Sequence, residues 1–512
     1  MQATLTPPAR CAIRPFLINA AYSRVFSPRF IQRSIISSMS PTENSDAPTL
    51  AGRKRSAPDS RPISPPPMKR KAAQATISKS TVANFFTPAS QKPKEPTVWT
   101  ERSPDKDTPA TLLVAKYVSP DKESYEKGKA WLPMKRKKIA AFDLDSTLIT
   151  SASGKKHADQ PGDWKWWHYS ICPKLRLLYE DEFQVIVFTN QGGLTLHPDP
   201  KAKAPPKGYS ERVANFKKKC NAVLSSIGIP EITLYAATGK DMFRKPRTGM
   251  WDEMLKDFEL SPEEVQLHLS FLVGDAGGRV ATISAERPTI PKDFSCSDRN
   301  MAANIGIKFL TPEEFFLEEK PREFARDFDL EKWPFKEGEN LQWEMKHEKE
   351  ILLFVGPPGA GKSTFFWKVL NPLGYVRINQ DTLKTKAKCL KAAEDWLKEK
   401  SVALAIDATN PDPDTRAQWV EFSEKHKVPI RCVWFKTPLE LCAHNDAVRG
   451  LNKNSKAHNI EGRDLLPQLA FNMFKSRFKV PTEKEGFEEV VPVEFKFSGT
   501  EEEYQVWGRY WV

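Results

Sequence analysis

The chain has 512 residues, too many for one hydrophobic core, so its length predicts two or three domains. Hydrophobic residues make up 39% and the formal charge is +13, a balance that permits a polyanionic partner without naming one. No apolar run approaches the ~20 residues needed to span a bilayer, and the seven cysteines form no CxxC pair, which argues against a disulfide scaffold or a thiolate zinc site and reads as reduced, intracellular thiols.

Residues 1–38 carry Arg10, Arg14, Arg24, Arg29 and Arg33, with no acidic residue before Glu43. That composition suits a mitochondrial transit peptide, with an ordinary basic tail as the alternative. Met39 follows directly, so two products are expected, one mitochondrial and one nuclear. Residues 39–125 read as a disordered basic tail, dense in Ser, Pro, Thr and Ala. Arg53-Lys54-Arg55 and Lys69-Arg70-Lys71 give it a nuclear-import-like signal. In KSTVANFF, Val82, Phe85 and Phe86 resemble the short motif that docks on the DNA sliding clamp, although Lys79 stands where that motif carries glutamine.

Three apolar, strand-length runs follow, and each ends in polar residues. IAAFDLD closes on Asp143 and Asp145, FQVIVFTNQGG on Thr189 and Asn190, and LSFLVGDAGGR on Asp275. Helical stretches at 209–227 and 249–258 lie between them. The alternation predicts an α/β domain with a parallel, Rossmann-like sheet. Ligands collect at the carboxyl ends of such strands, so all three endings should share one pocket with Lys245. Asp143 and Asp275, with Asp145 beside them, are candidate ligands for a hard cation, Mg2+. Asp143 is the candidate nucleophile and Asp145 the proton donor and acceptor. Thr189 and Asn190 would hold phosphate oxygens. The order DxDxT, Thr, Lys, GD resembles the haloacid dehalogenase superfamily of aspartate-nucleophile phosphatases. The surrounding segments DWKWWH, TNQGG, RKPRTGMW, VGDAGGR and DFSCSDR narrow the resemblance to the 3′-phosphatase half of polynucleotide kinase 3′-phosphatases. That resemblance makes Asp298 a secondary acidic residue near the metal. Trp164, Trp166 and Trp167 read as core, with base stacking as the alternative.

The last strong signal is ILLFVGPPGAGKSTFFWKVL. A strand enters the full GxxxxGK[ST] loop and leaves as a helix. Gly356, Gly359, Ala360, Gly361, Lys362, Ser363 and Thr364 are the expected ATP-binding residues, with Ser363 also on Mg2+. YVRINQDTL puts Asp381 at the end of a second strand, where it could take the proton of an attacking hydroxyl. ALAIDATNP puts Asp407 at the end of a third, suited to the metal shell. Both segments resemble the 5′-kinase half of the same family, and Arg449 falls where the family carries a lid cation. Gln380 departs from the expected Arg, which shifts an expected DNA-backbone contact toward Lys384.

The organisation expected is therefore a transit-like segment (1–38), a tail (39–125), a 3′-phosphatase domain (126–317), a linker (318–345) and a P-loop 5′-kinase domain (346–512). The resemblance implies an enzyme that works as a monomer on DNA ends, at single-strand breaks and by extension double-strand breaks, with ATP and Mg2+ and no membrane partner. No forkhead-associated sandwich is expected in residues 1–125, an arrangement that resembles fungal members. The rival readings are an RNA-end healing enzyme, a non-catalytic scaffold and a fused small-molecule kinase and phosphatase.

Overall fold

The computed structural model describes residues 96–512 apart from 124–134, 156–159, 200–201, 203, 283–289, 327, 337–341, 400–401, 454 and 456. The transit-like segment, the basic clusters and the Val82–Phe86 motif lie outside the described residues.

The first half of the described chain runs through β1 (Thr97–Arg102), β2 (Leu112–Val118), β3 (Lys138–Phe142), β4 (Ile149–Thr150), β5 (Lys165–Trp166), α1 (Ile171–Glu180), β6 (Phe183–Asn190), α2 (Tyr209–Ile227), β7 (Glu231–Ala237), α3 (Gly249–Asp257), β8 (Phe271–Val273), α4 (Ser297–Ile305), β9 (Lys308–Leu310) and α5 (Pro312–Phe316). Seven strands form one sheet in the order β1-β2-β7-β6-β3-β8-β9, while β4 and β5 make a separate small hairpin. The strands from β7 to β9 are parallel, as the buried apolar runs predict. Successive side chains leave opposite faces of a strand. Ala140, Phe142, Val185 and Val187 therefore pack with Leu175, Phe216 and Val223 of α1 and α2. Ile139, Ala141, Ile186 and Phe188 pack on the other face with Met250 and Met254 of α3 and Met301 of α4.

The expectation of a structureless tail through residue 125 fails at 97–118. β1 and β2 join this sheet antiparallel, with β2 paired along the whole of β7. Leu112, Leu113, Val114 and Ala115 are buried, because the tail composition surrounds a short run apolar on both faces. The domain therefore begins no later than Thr97 rather than at residue 126, and its sheet is mixed at one edge.

The second half contains β10 (Ile351–Val355), α6 (Lys362–Phe365), β11 (Val376–Asn379), α7 (Gln380–Leu383), α8 (Lys386–Glu399), β12 (Leu404–Asp407), α9 (Pro413–His426), β13 (Ile430–Phe435), α10 (Leu439–Leu451), α11 (Gln468–Arg477), β14 (Val490–Val493) and α12 (Glu501–Trp507). Its five strands are all parallel, in the order β11-β12-β10-β13-β14. Described residues of the expected linker are packed into the second half. Leu330 and Trp333 share a cluster with Trp507, Tyr510 and Trp511, and Trp343 sits edge-on to Phe365. Both sheets lie in one compact unit. Asn304 of α4 joins the halves directly, donating to Tyr510 O at 2.8 Å and accepting from Tyr510 N at 2.8 Å.

Candidate active sites

The first centre sits at the carboxyl ends of β3, β6 and β8. Asp143 follows β3 and is 7% exposed. Leu144 turns into the core, and Ser146 takes a left-handed conformation with φ 60°. This tight turn sends the two expected carboxylates apart. Asp143 points inward to Lys245, whose Nζ donates to Asp143 Oδ1 at 2.5 Å and to Phe188 O at 2.9 Å. Asn190 clamps the backbone of Lys245 from both sides, accepting from its N at 3.0 Å and donating to its O at 3.2 Å. Thr189 and Asn190 therefore lie where the sequence put them, although Asn190 spends its amide on Lys245.

Asp298, in the first turn of α4, completes the cluster. It is 1% exposed and its Oδ1 lies 2.7 Å from Lys245 Nζ. Single oxygens of Asp143, Asp275 and Asp298 all come within 4.8 Å of one another. An all-carboxylate set with this spacing fits a hard divalent cation. Gly274 makes the approach feasible, since a Cβ there would meet Asp298 Oδ2 at 2.2 Å. Asp145, expected among the ligands, does not join the cluster. Its side chain is 52% exposed and faces Lys219 Nζ at 3.4 Å and Gln191 Nε2 at 2.7 Å, because the Ser146 turn directs it outward.

The electrostatics follow from burial and crowding. Burial raises Asp143 well above the carboxylate range; Lys245 opposes this, while Asp298 and Asp275 add to it. Burial, then the Asp298 charge, pushes Asp275 up to about 7. Burial works against the Lys245 ammonium, but Asp143 and Asp298 outweigh it and hold its pKa above the lysine range. A cation among the three acids would relieve the repulsion.

The second centre is a cavity of about 1160 Å³ lined by Gly359 to Thr364, Asp381, Asp407, Arg449, Glu461 and Arg463. Its loop needs its glycines. Gly359 has φ 79° and a Cβ there would meet Cys442 O at 2.3 Å; Gly361 has φ 92°. Lys362 Nζ donates to Gly356 O at 3.0 Å and Pro357 O at 2.6 Å, and burial lowers its pKa to about 8. Ser363 Oγ donates to Asp407 Oδ2 at 3.0 Å, so two expected metal ligands meet. Asp381 opens α7, 71% exposed, and accepts from Arg463 Nη1 at 2.7 Å. Arg449 lines the same cavity and pairs with Asp446.

A family model described as polynucleotide kinase 3 phosphatase matches residues 138–316, and an AAA domain model matches residues 351–479. The bifunctional polynucleotide phosphatase/kinase of Schizosaccharomyces pombe is 40% identical over 368 residues, covering 71% of this chain and 81% of that protein. The chain belongs to the bifunctional polynucleotide phosphatase/kinases. The chain is also similar to the polynucleotide 3′-phosphatase of Saccharomyces cerevisiae, 27% identical over 35% of this chain and 87% of that protein. Polynucleotide 3′-phosphatase ZDP of Arabidopsis thaliana is 30% identical over 35% of this chain and 24% of that protein.

Several site residues of this phosphatase/kinase escape a reading of its sequence. In the phosphatase half they are Gln191, which holds Asp145, and Lys219, which faces it at 3.4 Å. The quoted TNQGG contained Gln191, but only the fold shows its amide turned toward Asp145. In the kinase half they are Arg377, Glu461 and Arg463. Arg377 donates to Asp407 Oδ2 at 2.7 Å and to Ser363 Oγ at 2.8 Å, and pairs with Glu461. Arg377 sits inside the quoted YVRINQDTL as an ordinary strand residue. Glu461 and Arg463 sit in a polar stretch between α10 and α11 that has no periodicity to read.

Proposed function

We propose that this chain makes broken DNA ends ligatable, removing 3′-phosphates at the first centre and phosphorylating 5′-hydroxyls with ATP at the second. The observation that carries the reading is the pair of complete phosphoryl-handling centres in one chain: Asp143, Lys245, Asp275 and Asp298 in one, and the P-loop with Asp381 and its arginines in the other.

In the first reaction Asp143 attacks the phosphorus of a terminal 3′-phosphate. The bond to the sugar 3′-oxygen breaks with its electron pair on that oxygen, and Asp145 supplies the proton it takes up. A water then gives a proton to Asp145 and attacks the aspartyl phosphate, so that inorganic phosphate leaves and the Asp143 carboxylate is restored. Thr189 and the Lys245 ammonium hold phosphate oxygens. Asp143, Asp275 and Asp298 would hold Mg2+, whose charge would offset that of the phosphate and the acids.

In the second reaction Asp381 accepts the proton of the 5′-hydroxyl, whose oxygen attacks the γ-phosphorus of ATP as ADP departs. Arg463 must release Asp381 for that step, since the two are paired. Lys362 and Arg449 neutralise charge on the transferring group. Ser363 and Asp407 would hold Mg2+ there once Arg377, which donates to both, moves off them. The cavity exceeds the ~300–1,000 Å³ usual for one small ligand, which suits a nucleotide and a polynucleotide end together.

On this reading the protein acts as a monomer in DNA repair. Its basic tail directs it to the nucleus, residues 1–38 direct a second product to mitochondria, and Val82, Phe85 and Phe86 dock on a sliding clamp. The test is a nicked duplex bearing 3′-phosphate and 5′-hydroxyl, given ATP, Mg2+ and then DNA ligase. Sealing is expected, and it should weaken with salt because phosphate contacts dominate binding. Absence of sealing, with an RNA version of the nick healed instead, would overturn the DNA assignment.

A further inference from the structure

One side chain connects two parts of the phosphatase centre that the reaction uses at different moments. Gln191 stands just past β6, its backbone N held by Ala237 O at 2.7 Å. Positions two apart in an extended chain share a face, so its side chain returns toward Thr189. A primary amide nitrogen carries two N–H donors. Gln191 Nε2 lies 2.7 Å from Asp145 Oδ2 and 2.9 Å from Thr189 Oγ1, so each hydrogen has an acceptor.

The chemistry of both acceptors is narrowed by this. Thr189 Oγ, accepting from the amide, keeps its own O–H to donate to a phosphate oxygen. Asp145 Oδ2, accepting likewise, leaves Oδ1 as the oxygen able to carry the transferable proton. Lys219 Nζ reaches that side only at 3.4 Å, and the Asp145 side chain is half exposed, so little else fixes its rotation.

We propose that Gln191 is a positioning residue for 3′-phosphate removal: anchored on the hydroxyl of Thr189, its amide orients the proton-carrying carboxyl of Asp145. The proposal rests on the roles assigned above to Asp145 and Thr189. In the step it serves, the P–O bond to the sugar breaks as the Asp143–phosphorus bond forms, and the departing oxygen takes its proton from Asp145. Losing the amide donor should therefore hurt most where the departing oxygen most needs that proton.

The experiment measures kcat/KM, which reports the transfer of phosphate to Asp143, on two substrates: an oligonucleotide with a 3′-phosphate, and p-nitrophenyl phosphate, whose leaving oxygen departs without a proton. The full chain is used, with Gln191→Met as an uncharged variant of similar length lacking the donor and Gln191→Ala beside it; Asp145→Asn is the reference. Both Gln191 variants should lose about 10- to 100-fold on the oligonucleotide and keep the aryl phosphate within about threefold. Equal losses on the two substrates, or no loss on either, would overturn the proposal. If Gln191→Ala does not fold, the Gln191→Met ratio decides. An Asp145→Asn variant that loses both substrates equally would sink the proton-donor reading itself. Selectivity in Asp145→Asn without selectivity in Gln191→Met would sink only the proposal.

Discussion

At the scale of single residues, the phosphatase centre packs more negative charge than its one lysine can balance. Asp275 is pushed up to about 7, by burial first and then by Asp298, against about 3.9 in an unfolded chain. The native protein thus keeps a proton that the unfolded chain gives up between those values. The stability this group contributes is full below about pH 4 and is lost as pH rises through about 7. Denaturant midpoints of the metal-free protein should fall across that window, and Asp275→Asn should flatten the fall. A midpoint profile identical in the two proteins would contradict the assignment. Gly274→Ala tests the same cluster sterically. Its Cβ would meet Asp298 Oδ2 at 2.2 Å, and displacing Asp298 by about an ångström is expected to slow phosphate release about a hundredfold with 5′-phosphorylation unchanged. Asp143 and Asp275 were legible in the sequence because each closes an apolar strand-length run. Asp298 contributes through a helix start and a glycine's missing side chain, a geometry that no spacing encodes, so only a family resemblance pointed to it. The outward turn of Asp145 depends on one left-handed residue, Ser146, which is not a residue type that announces such a turn.

At the scale of elements, β1 and β2 do more than extend a sheet. Arg102 of β1 reaches Glu253 at 2.5 Å and Asp257 at 2.6 Å, and Lys116 of β2 reaches Asp257 at 2.9 Å, which fastens α3 against the sheet edge. α3 directly follows the loop that carries Lys245. A chain that starts at residue 126 would leave the β7 edge unpaired and should be recovered as aggregate, whereas one that starts at residue 90 should be soluble and active on 3′-phosphates. Within the full chain, Leu113→Ala is expected to cost about 2–5 kcal/mol of stability, read from urea unfolding; a cost near zero would mean the strand is dispensable. The P-loop and its flanks were readable because that motif is local: strand, loop and helix are consecutive. β1 and β2 were not, because the pairing that ties them into the sheet, β2 to β7, spans more than a hundred residues and the polar residues on either side dominate any average over the tail.

At the scale of the whole molecule, the two halves have separate chemistry and share structure. Trp507 Nε1 donates to Asn445 Oδ1 at 2.8 Å, and Asn445 Nδ2 donates to Gly359 O of the P-loop at 2.9 Å. A few residues on, Tyr510 is gripped by Asn304, which also donates to Pro246 O at 2.9 Å, next to Lys245. Residues 507–510 thus brace both centres without touching either reacting group. Asn304→Ala should lower the unfolding free energy by about 1–3 kcal/mol and abolish neither activity. The independence of the two phosphoryl centres is read by assaying 3′-phosphate release and 5′-phosphorylation side by side in Asp143→Asn and Lys362→Ala. Asp143→Asn should lose the first activity and keep the second, and Lys362→Ala should do the reverse; loss of both activities in either variant would mean that the two centres are not independent.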